Sequence, residues 1–286
     1  MPALTQPPAL GSLYAKAGLF GQLHRGSTLP DSVYTLADQS IDPSHLLAYQ
    51  KVCGFRVTDV LPPTYLHMLA FPLSVALMTE RAFPFPLIGL VHVANTITVA
   101  RPVLMSETVS LRVNAENLRE HPAGRQLDLV ASATVDGEVV WSSRSAYLRR
   151  GGSPKSSGAP KSSGAPKRAS AAPVVGPASL VKVPDDIGRR YGAVSGDRNP
   201  IHLYGVTAKL FGFPSAIAHG MWLKARTLAA LEGRLAESFT VDVAFKTPVL
   251  LPSTIAIAAA ATDDGWALDV RSAKNGKPHL TGTVSR

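Results

Sequence analysis

The sequence predicts an α+β protein made of two similar units, each with a buried helix packed against four or five antiparallel strands. Three observations predict this fold. The same order of segments occurs twice, short motifs match between the two copies, and a segment rich in Pro, Gly, Ser and Lys separates them.

Each unit opens with a short helix and continues with a longer apolar one. Asp42-Pro43 supplies an N-cap and first-turn signal before SHLLAYQKV, and Pro184-Asp185-Asp186 does the same before IGRRYGAV. The longer helices are predicted over TYLHMLAFPLSVALM in the first unit and HGMWLKARTLAALEGRL in the second.

Strands complete each unit, because the remaining segments alternate with period two or are rich in β-branched residues. In the first unit they are VHVANTITV, ETVSLRVNAEN, RQLDLVASATV and EVVWSSRSAYL. In the second they are FTVDVAF, STIAIAAAA, WALDVRSA and HLTGTVSR. Two such units placed side by side can continue one sheet.

Matching blocks indicate that the fold is duplicated. YQKVCGFR (49–56) aligns with YGAVSGDR (191–198), and VARPVLMSETVSL (99–111) aligns with FKTPVLLPSTIAI (245–257). The spacer at 151–173 repeats PKSSGA and carries too little apolar surface to fold. It predicts an exposed linker between a first unit at 1–150 and a second at 174–286.

Composition indicates a folded globular protein and disfavours one class of partner. Hydrophobic residues make up 45% and charged residues 17%, which is typical of a folded globular chain. Part of the net charge of +9 lies in the acid-free stretch 150–168, and no basic helix with interleaved aromatics occurs, so nucleic acid is disfavoured as a partner. The remaining excess suits an anionic handle on the substrate, such as nucleotide phosphates or an acidic carrier protein.

The sequence also predicts a cytoplasmic location. Apolar runs fall far short of the roughly 18 residues of a membrane span, and the N-terminus lacks the pattern of a secretory leader. A single cysteine, Cys53, excludes an intramolecular disulfide and fits a reducing compartment; we expect it to be a small buried residue.

The segment YGAVSGDRNPIH (191–202) carries the strongest chemical signal. It places Asp197, Asn199, Pro200 and His202 within six residues. Asp, Asn and Pro together often form only a turn. A carboxylate and an imidazole held on one short loop can also share a water for general acid–base catalysis.

Three ordered blocks of the second unit resemble the MaoC-like, or R-specific, enoyl-thioester hydratase family. They are YGAVSGDRNPIH, FGFPSAIAHGM (211–221) and VAFKTPVLLPSTIAI (243–257). The tandem arrangement resembles double-hotdog 3-hydroxyacyl-thioester dehydratases of mycobacteria and related actinobacteria. This resemblance implies two hotdog units, each a long central helix wrapped by an antiparallel sheet, that together form a pseudo-dimer.

The resemblance also implies an activity and a site. The activity is dehydration of (R)-3-hydroxyacyl thioesters, or hydration of trans-2-enoyl thioesters, in fatty-acid metabolism. Asp197 and His202 would form the acid–base pair, and the backbone N–H of Gly220 would stabilise the thioester oxyanion. Substrate contacts are expected from the motif neighbours and from two cations of the central helix, namely Asn199, Phe213, His219, Met221, Lys224 and Arg226.

No metal or other cofactor is expected, because no metal-ligand spacing and no Gly-rich phosphate loop occurs in the sequence. The partner is then the substrate itself, an acyl-CoA or acyl carrier protein thioester. Both a monomeric pseudo-dimer and a homodimer fit the sequence.

The first unit is expected to be catalytically silent. Phe55 stands opposite Asp197, and no Asn-Pro-x-His follows it. His67 can be set against His219, but Met68 then stands in place of Gly220. We expect this unit to complete the sheet and to shape the acyl tunnel.

Two other functions remain open. A hotdog thioesterase commonly uses a carboxylate on the central helix, where the only acid is Glu232, close to the end of the predicted segment. A non-catalytic acyl-thioester-binding subunit would lack the Asp or the His in both copies, and only the first copy lacks them. Acyl chain length, carrier and physiological direction stay open.

Overall fold

The computed structural model describes residues 3–20, 26–151 and 178–286. The predicted linker at 151–173 lies outside these residues apart from Gly151. Within the described ranges, no helix is long and apolar enough to cross a membrane.

The chain folds into two halves with matching elements. The first half contains β1 (Ala3–Leu4), α1 (Leu10–Phe20), β2 (Val33–Gln39), α2 (Pro43–Cys53), α3 (Tyr65–Met78), β3 (Leu90–Val99), β4 (Val109–His121), β5 (Gly124–Val135) and β6 (Glu138–Arg150). The second half contains β7 (Ala178–Val183), α4 (Ile187–Ser195), α5 (Pro200–Leu203), α6 (Gly205–Leu210), α7 (Gly220–Ala229), β8 (Phe239–Phe245), β9 (Ser253–Thr262), β10 (Gly265–Ser272) and β11 (Pro278–Ser285).

All of these strands form one 11-stranded sheet in the order β1-β2-β4-β5-β6-β3-β8-β11-β10-β9-β7. Strands β3 and β8 pair antiparallel at its centre. Counted outward from this pair, the order β3-β6-β5-β4-β2 repeats as β8-β11-β10-β9-β7. This confirms the predicted α+β architecture, in which two helix-on-sheet units continue one sheet.

The short helices α2 and α4 end in the same way. Gly54 and Gly196 follow them in the left-handed conformation, which glycine adopts at little cost. The last helical residues, Cys53 and Ser195, are both buried. Asp42 caps α2 as predicted, since its carboxylate accepts hydrogen bonds from the N–H groups of the first turn.

All the predicted strands are present, but the second central helix is shorter than predicted. Helix α7 ends at Ala229 because the N–H groups of Ala230 and Leu231 bond to carbonyls three residues back, which tightens the chain into a turn. Glu232 therefore lies beyond the helix. The sequence patterns also did not predict the strands β1, β2 and β7 or the helix α1.

A buried lysine ties α7 to both central strands. The Lys224 side chain is fully buried, and its Nζ donates to Asn95 O (3.1 Å), Asn95 Oδ1 (2.5 Å) and Val241 O (3.2 Å). Burial lowers the pKa of Lys224 well below its ordinary value. Asn95 lies on β3 and Val241 on β8. The helix turns this side chain toward the strands, so Lys224 makes structural contacts at the position where the sequence predicted a substrate contact.

We expect Asn95→Ala to destabilise the protein by about 1–3 kcal/mol, because the substitution leaves the buried Lys224 amine without its amide acceptor. Denaturant unfolding would measure the loss. Asn114→Ala is the matched control, since the Asn114 amide bonds only to the exposed side chain of Arg112. Equal stability of the two variants would contradict a structural role for the Lys224–Asn95 contact.

Candidate active site

The sequence at the end of α4 builds a tight connection that carries two candidate catalytic groups. Gly196 ends α4, and Asn199 caps the single turn of α5 through its Oδ1, which accepts from the N–H of Ile201 (3.4 Å). Pro200 occupies the first helical position, where its missing N–H costs nothing. Asp197 and His202 are therefore held at the two ends of a short, stiff loop.

Two glycines of α4 let this loop approach the helix closely. A Cβ added at Gly188 would lie 1.8 Å from the backbone oxygen of His202. A Cβ added at Gly192 would lie 2.9 Å from the backbone oxygen of Asp197. Only glycine fits at these positions, so the loop backbone packs directly against α4.

The Asp197 carboxylate is held through one of its oxygens. Oδ1 accepts from the Asn199 N–H (3.2 Å) and from the Tyr14 hydroxyl (3.2 Å). Burial raises the pKa of this carboxyl, but the groups around it, among them the hydrogen bonds from Asn199 and Tyr14, outweigh burial and lower the pKa below the usual value. The group is therefore ionised at neutral pH, and Oδ2 is left for a proton of substrate or water.

The His202 ring is fixed in one tautomer. Its Nδ1 lies 2.8 Å from the carbonyl oxygen of Ile217, which can only accept, so Nδ1 carries the hydrogen. Burial lowers the pKa of this imidazole, and the Asp197 charge offsets part of the effect. A neutral ring with a free lone pair on Nε2 is the form that serves as a base.

His219 supports both groups from the N-terminus of α7. Its Nε2 donates to the backbone oxygen of Asp197 (3.0 Å), and its ring stacks on His202 with centroids 3.7 Å apart. Burial, reinforced by His202, lowers the pKa of His219 to about 3. The His219 ring is therefore neutral and orients the loop.

Gly220 is the first residue of α7, so helix geometry leaves its N–H without an intrahelical partner. This N–H and the dipole of the helix favour negative charge at the same point. A Cβ added at Gly220 would lie 3.2 Å from the ring of Phe245, which leaves little space for a side chain.

These groups open onto one cavity of about 1630 Å³. The structure brings most of the predicted site residues to its lining, namely Asp197, His202, Gly220, Asn199, Phe213, His219 and Met221. It does not bring Lys224 or Arg226 there. The Arg226 guanidinium packs beside Gly54 at the end of α2, so it lies away from the cavity lining.

Residues of the first half and several cations also line the cavity. Tyr14, His67, His92 and Tyr147 come from the first half. The His92 ring stacks on Tyr147 with centroids 4.6 Å apart. Cations also contribute to the lining, namely Arg150, Lys182, Lys246, Lys274 and Lys277. Apart from Lys246, which lies in the block at 243–257, no local motif marks these cations, because distant parts of the chain bring them together.

The first half lacks the corresponding chemical groups. Phe55 follows Gly54 as Asp197 follows Gly196, and the described stretch between α2 and α3 contains no counterpart of α5 and α6. The structure changes one detail of the alignment, because Thr64 rather than His67 precedes the central helix as His219 does. Tyr49 donates its hydroxyl proton to Thr64 Oγ1 (2.8 Å).

One group among the described residues has the spacing of a metal site. Single ligand atoms of Asp197, His202 and His219 lie within 4.8 Å of one another. However, His202 Nδ1 and His219 Nε2 already bond to backbone carbonyls, which leaves one nitrogen on each ring. A carboxylate beside an imidazole lone pair suits proton exchange with one bound water.

Residues 166–281 match the family model described as MaoC like domain. The chain is 40% identical over 282 residues to 3-hydroxyacyl-thioester dehydratase X of Mycobacterium tuberculosis, which covers 98% of this chain and 99% of that protein. A crystal structure of HtdX from the same organism superposes with a TM-score of 0.77 at 38% identity, covering 88% of this chain and 99% of that one.

More distant structures share the fold alone. A MaoC-like dehydratase of Phytophthora capsici has a TM-score of 0.71 at 20% identity, covering 91% of this chain and 96% of that one. An M. tuberculosis protein described as having a double hotdog fold has a TM-score of 0.52 at 15% identity, covering 93% and 97%. These similarities confirm the predicted double hotdog.

We expect Gly188→Ala to reduce turnover on the order of 100-fold, because the added methyl group must push His202 out of place. Gly11→Ala is the control, since it adds the same methyl group to a helix where nothing lies within 4 Å. Steady-state kinetics with an enoyl thioester would compare the two variants. Full activity in Gly188→Ala would contradict the tight packing of the loop on α4.

Proposed function

This chain belongs to the MaoC-like family of 3-hydroxyacyl-thioester dehydratases, and we propose that Asp197, His202 and Gly220 carry its hydro-lyase activity. The reaction is dehydration of (R)-3-hydroxyacyl thioesters and, in reverse, hydration of trans-2-enoyl thioesters. The observation that supports this site most directly is that all three residues open onto one cavity.

The acid–base pair acts as one unit on a single water. In hydration the pair takes a proton from the water as the water oxygen bonds to C3, and it returns a proton to C2 on the same face. Asp197 Oδ2 takes the proton from the water that attacks C3, this proton passes to the free lone pair of His202 Nε2, and His202 then delivers it to C2. The pair ends as it began, and dehydration runs through the same steps in reverse. These steps need no cofactor.

The backbone N–H of Gly220 stabilises the negative charge that develops during this reaction. As a bond forms at C3, negative charge develops on the thioester oxygen. The Gly220 N–H at the start of α7 donates to that oxygen, and the helix dipole adds to the stabilisation. The Phe245 ring lies close to Gly220 and narrows the cavity there, so the thioester lies against the Gly220 backbone.

The two halves have different roles. Residues 174–286 form the catalytic unit, which holds all three groups, and residues 1–150 form a silent unit that supplies a wall of the acyl cavity. His67, His92 and Tyr147 belong to that wall. The first unit therefore shapes the cavity that holds the acyl chain, and it takes no part in proton exchange at C2 or C3.

The cavity lining indicates an anionic carrier on the thioester. Its exposed cations are Arg150, Lys182, Lys246, Lys274 and Lys277, whereas Asp197 is the only acid among the described lining residues. Cations grouped in this way attract phosphates. CoA and phosphopantetheine-bearing carrier protein both carry phosphate, so both fit this lining.

Thioester hydrolysis is less well supported than hydration. The only acid in the predicted central-helix segment at 219–235 is Glu232, which lies beyond the end of α7. Its carboxylate accepts a hydrogen bond from the backbone N–H of Arg56 (2.8 Å), and it does not line the cavity. A hydrolytic carboxylate would need to reach the thioester carbon or its attacking water.

We expect Asp197→Asn and His202→Ala each to lower hydration of trans-2-enoyl-CoA by at least about 100-fold, because each removes one member of the acid–base pair. Loss of enoyl absorbance measures the rate, and chiral analysis of the product should give the (R)-alcohol. Asp263→Asn and His121→Ala make the same changes outside the cavity and should retain activity.

Release of free CoA by the wild-type protein, without a hydroxyacyl product, would contradict hydration and favour thioester hydrolysis. Retained hydration in Asp197→Asn would contradict the assignment of the pair. A short and a long enoyl chain, each assayed as CoA and as carrier-protein thioester, would define the preferred substrate.

We expect the double variant Lys274→Glu/Lys277→Glu to raise the KM for acyl-CoA roughly five- to tenfold with little change in kcat. The effect should weaken at high salt, because salt screens exposed charges. The control is Lys51→Glu/Lys209→Glu, which changes the net charge equally outside the cavity lining. An equal rise in KM in the control would contradict local recognition of phosphate.

A further inference from the structure

Helix α1 of the silent half reaches the active loop of the other half. The Tyr14 hydroxyl donates to Asp197 Oδ1 at 3.2 Å, although the two residues are 183 positions apart in the chain. Tyr14 also lines the cavity. A residue outside the catalytic unit therefore touches the candidate catalytic carboxylate directly.

A second contact places α1 on the same loop. A Cβ added at Gly196 would lie 2.2 Å from Leu10 Cδ1, so the first residue of α1 packs against the turn that immediately precedes Asp197. Leu10 and Tyr14 are four residues apart and so lie on the same side of the helix. Helix α1 thus contacts the loop at both Gly196 and Asp197.

The hydrogen bond from Tyr14 restricts the carboxylate. With both Tyr14 and the Asn199 N–H bound to Oδ1, the carboxylate plane is fixed and Oδ2 becomes the reactive oxygen. Without the tyrosine hydroxyl, Oδ1 keeps only the Asn199 N–H, and the carboxylate can turn. An orientation fixed before substrate binds lowers the cost of reaching the transition state.

We propose that Tyr14 is a positioning residue for Asp197, and that helix α1 of the silent half completes the active site of the other half. This inference rests on the proposed function, because it assigns Tyr14 a part in the same reaction. It also gives the first half a role beyond forming the cavity wall.

Several titratable groups surround Asp197, namely Tyr14 on α1, His67 on α3, Tyr147 on β6, Tyr191 on α4, His202 on α5 and His219 before α7. Burial raises the pKa of Tyr14, and the Asp197 charge raises it further, so its hydroxyl stays a donor throughout the assay range. Burial likewise raises the pKa of Tyr147 and Tyr191.

Loss of the Tyr14 hydroxyl should therefore change the pKa of Asp197 in a predictable direction. The hydrogen bond lowers the pKa of Asp197, so its removal raises that pKa. Hydration requires the ionised carboxylate, and activity falls as pH drops through the pKa of the group. The acid limb of the kcat profile should then move to higher pH in Tyr14→Phe.

The test compares Tyr14→Phe with Ser12→Ala. Ser12 lies on the same helix, and its hydroxyl bonds only to the local carbonyl of Ala9, so its loss should leave the kinetics unchanged. In Tyr14→Phe we expect kcat for enoyl-CoA hydration to fall on the order of tenfold. The KM should change less than twofold, and the acid limb should shift upward.

Thermal unfolding of each variant is measured alongside the kinetics. A wild-type kcat with an unmoved acid limb in Tyr14→Phe would overturn the proposal. A lower kcat with an unmoved acid limb, or a variant that does not fold, would overturn it too, because Tyr14 would then support the fold alone. Wild type and Asp197→Asn are assayed in parallel, so absence of wild-type turnover would mark failure of the proposed function instead.

Discussion

The antiparallel pairing of β3 with β8 is the interaction on which the rest of the molecule depends. It joins two units into one sheet and sets the position of each half relative to the other. Helices α2, α4 and α7 then pack across the boundary, with Lys224 bonded to both central strands. Because the halves are fixed in this way, Tyr147 and His92 of one half face the same cavity as Gly220 of the other. The cavity is therefore lined by residues of both units.

The two copies keep one architecture and differ where chemistry is needed. Both have a short helix ended by a left-handed glycine, a central helix and the same order of strands. The second copy alone inserts α5 and α6 after the short helix, which gives the chain room to turn His202 back beside Asp197. It also replaces Thr64 with His219 before the central helix, where the ring can stack on His202. In the first copy Phe55 stands in the position of the carboxylate and is buried.

Most of the fold could be predicted from the sequence, because alternation and β-branched enrichment are local signals and every strand except β1, β2 and β7 was recognised by one of them. The acid–base loop was also predictable, since its members lie within six residues. The partner of Asp197 on α1 was not, because Tyr14 reaches it only through tertiary packing across 183 positions. The positions of Lys224 and Arg226 away from the cavity lining could not be predicted for a related reason: helical periodicity does not tell which side of α7 meets the strands. The end of α7 was misplaced because a chain can leave a helix by a tight turn without Pro or a glycine at the boundary.

The central claim is that Asp197 and His202 act on one water from one side of the substrate, and the stereochemistry of addition tests it most directly. Hydration of a trans-2-enoyl thioester would be run in D₂O, and the product would be examined by NMR for the relative configuration at C2 and C3. The geometry predicts a single diastereomer, with deuterium at C2 and hydroxyl at C3 added to the same face and the R configuration at C3. Addition to opposite faces, or a mixture of diastereomers, would contradict a shared water held by this pair.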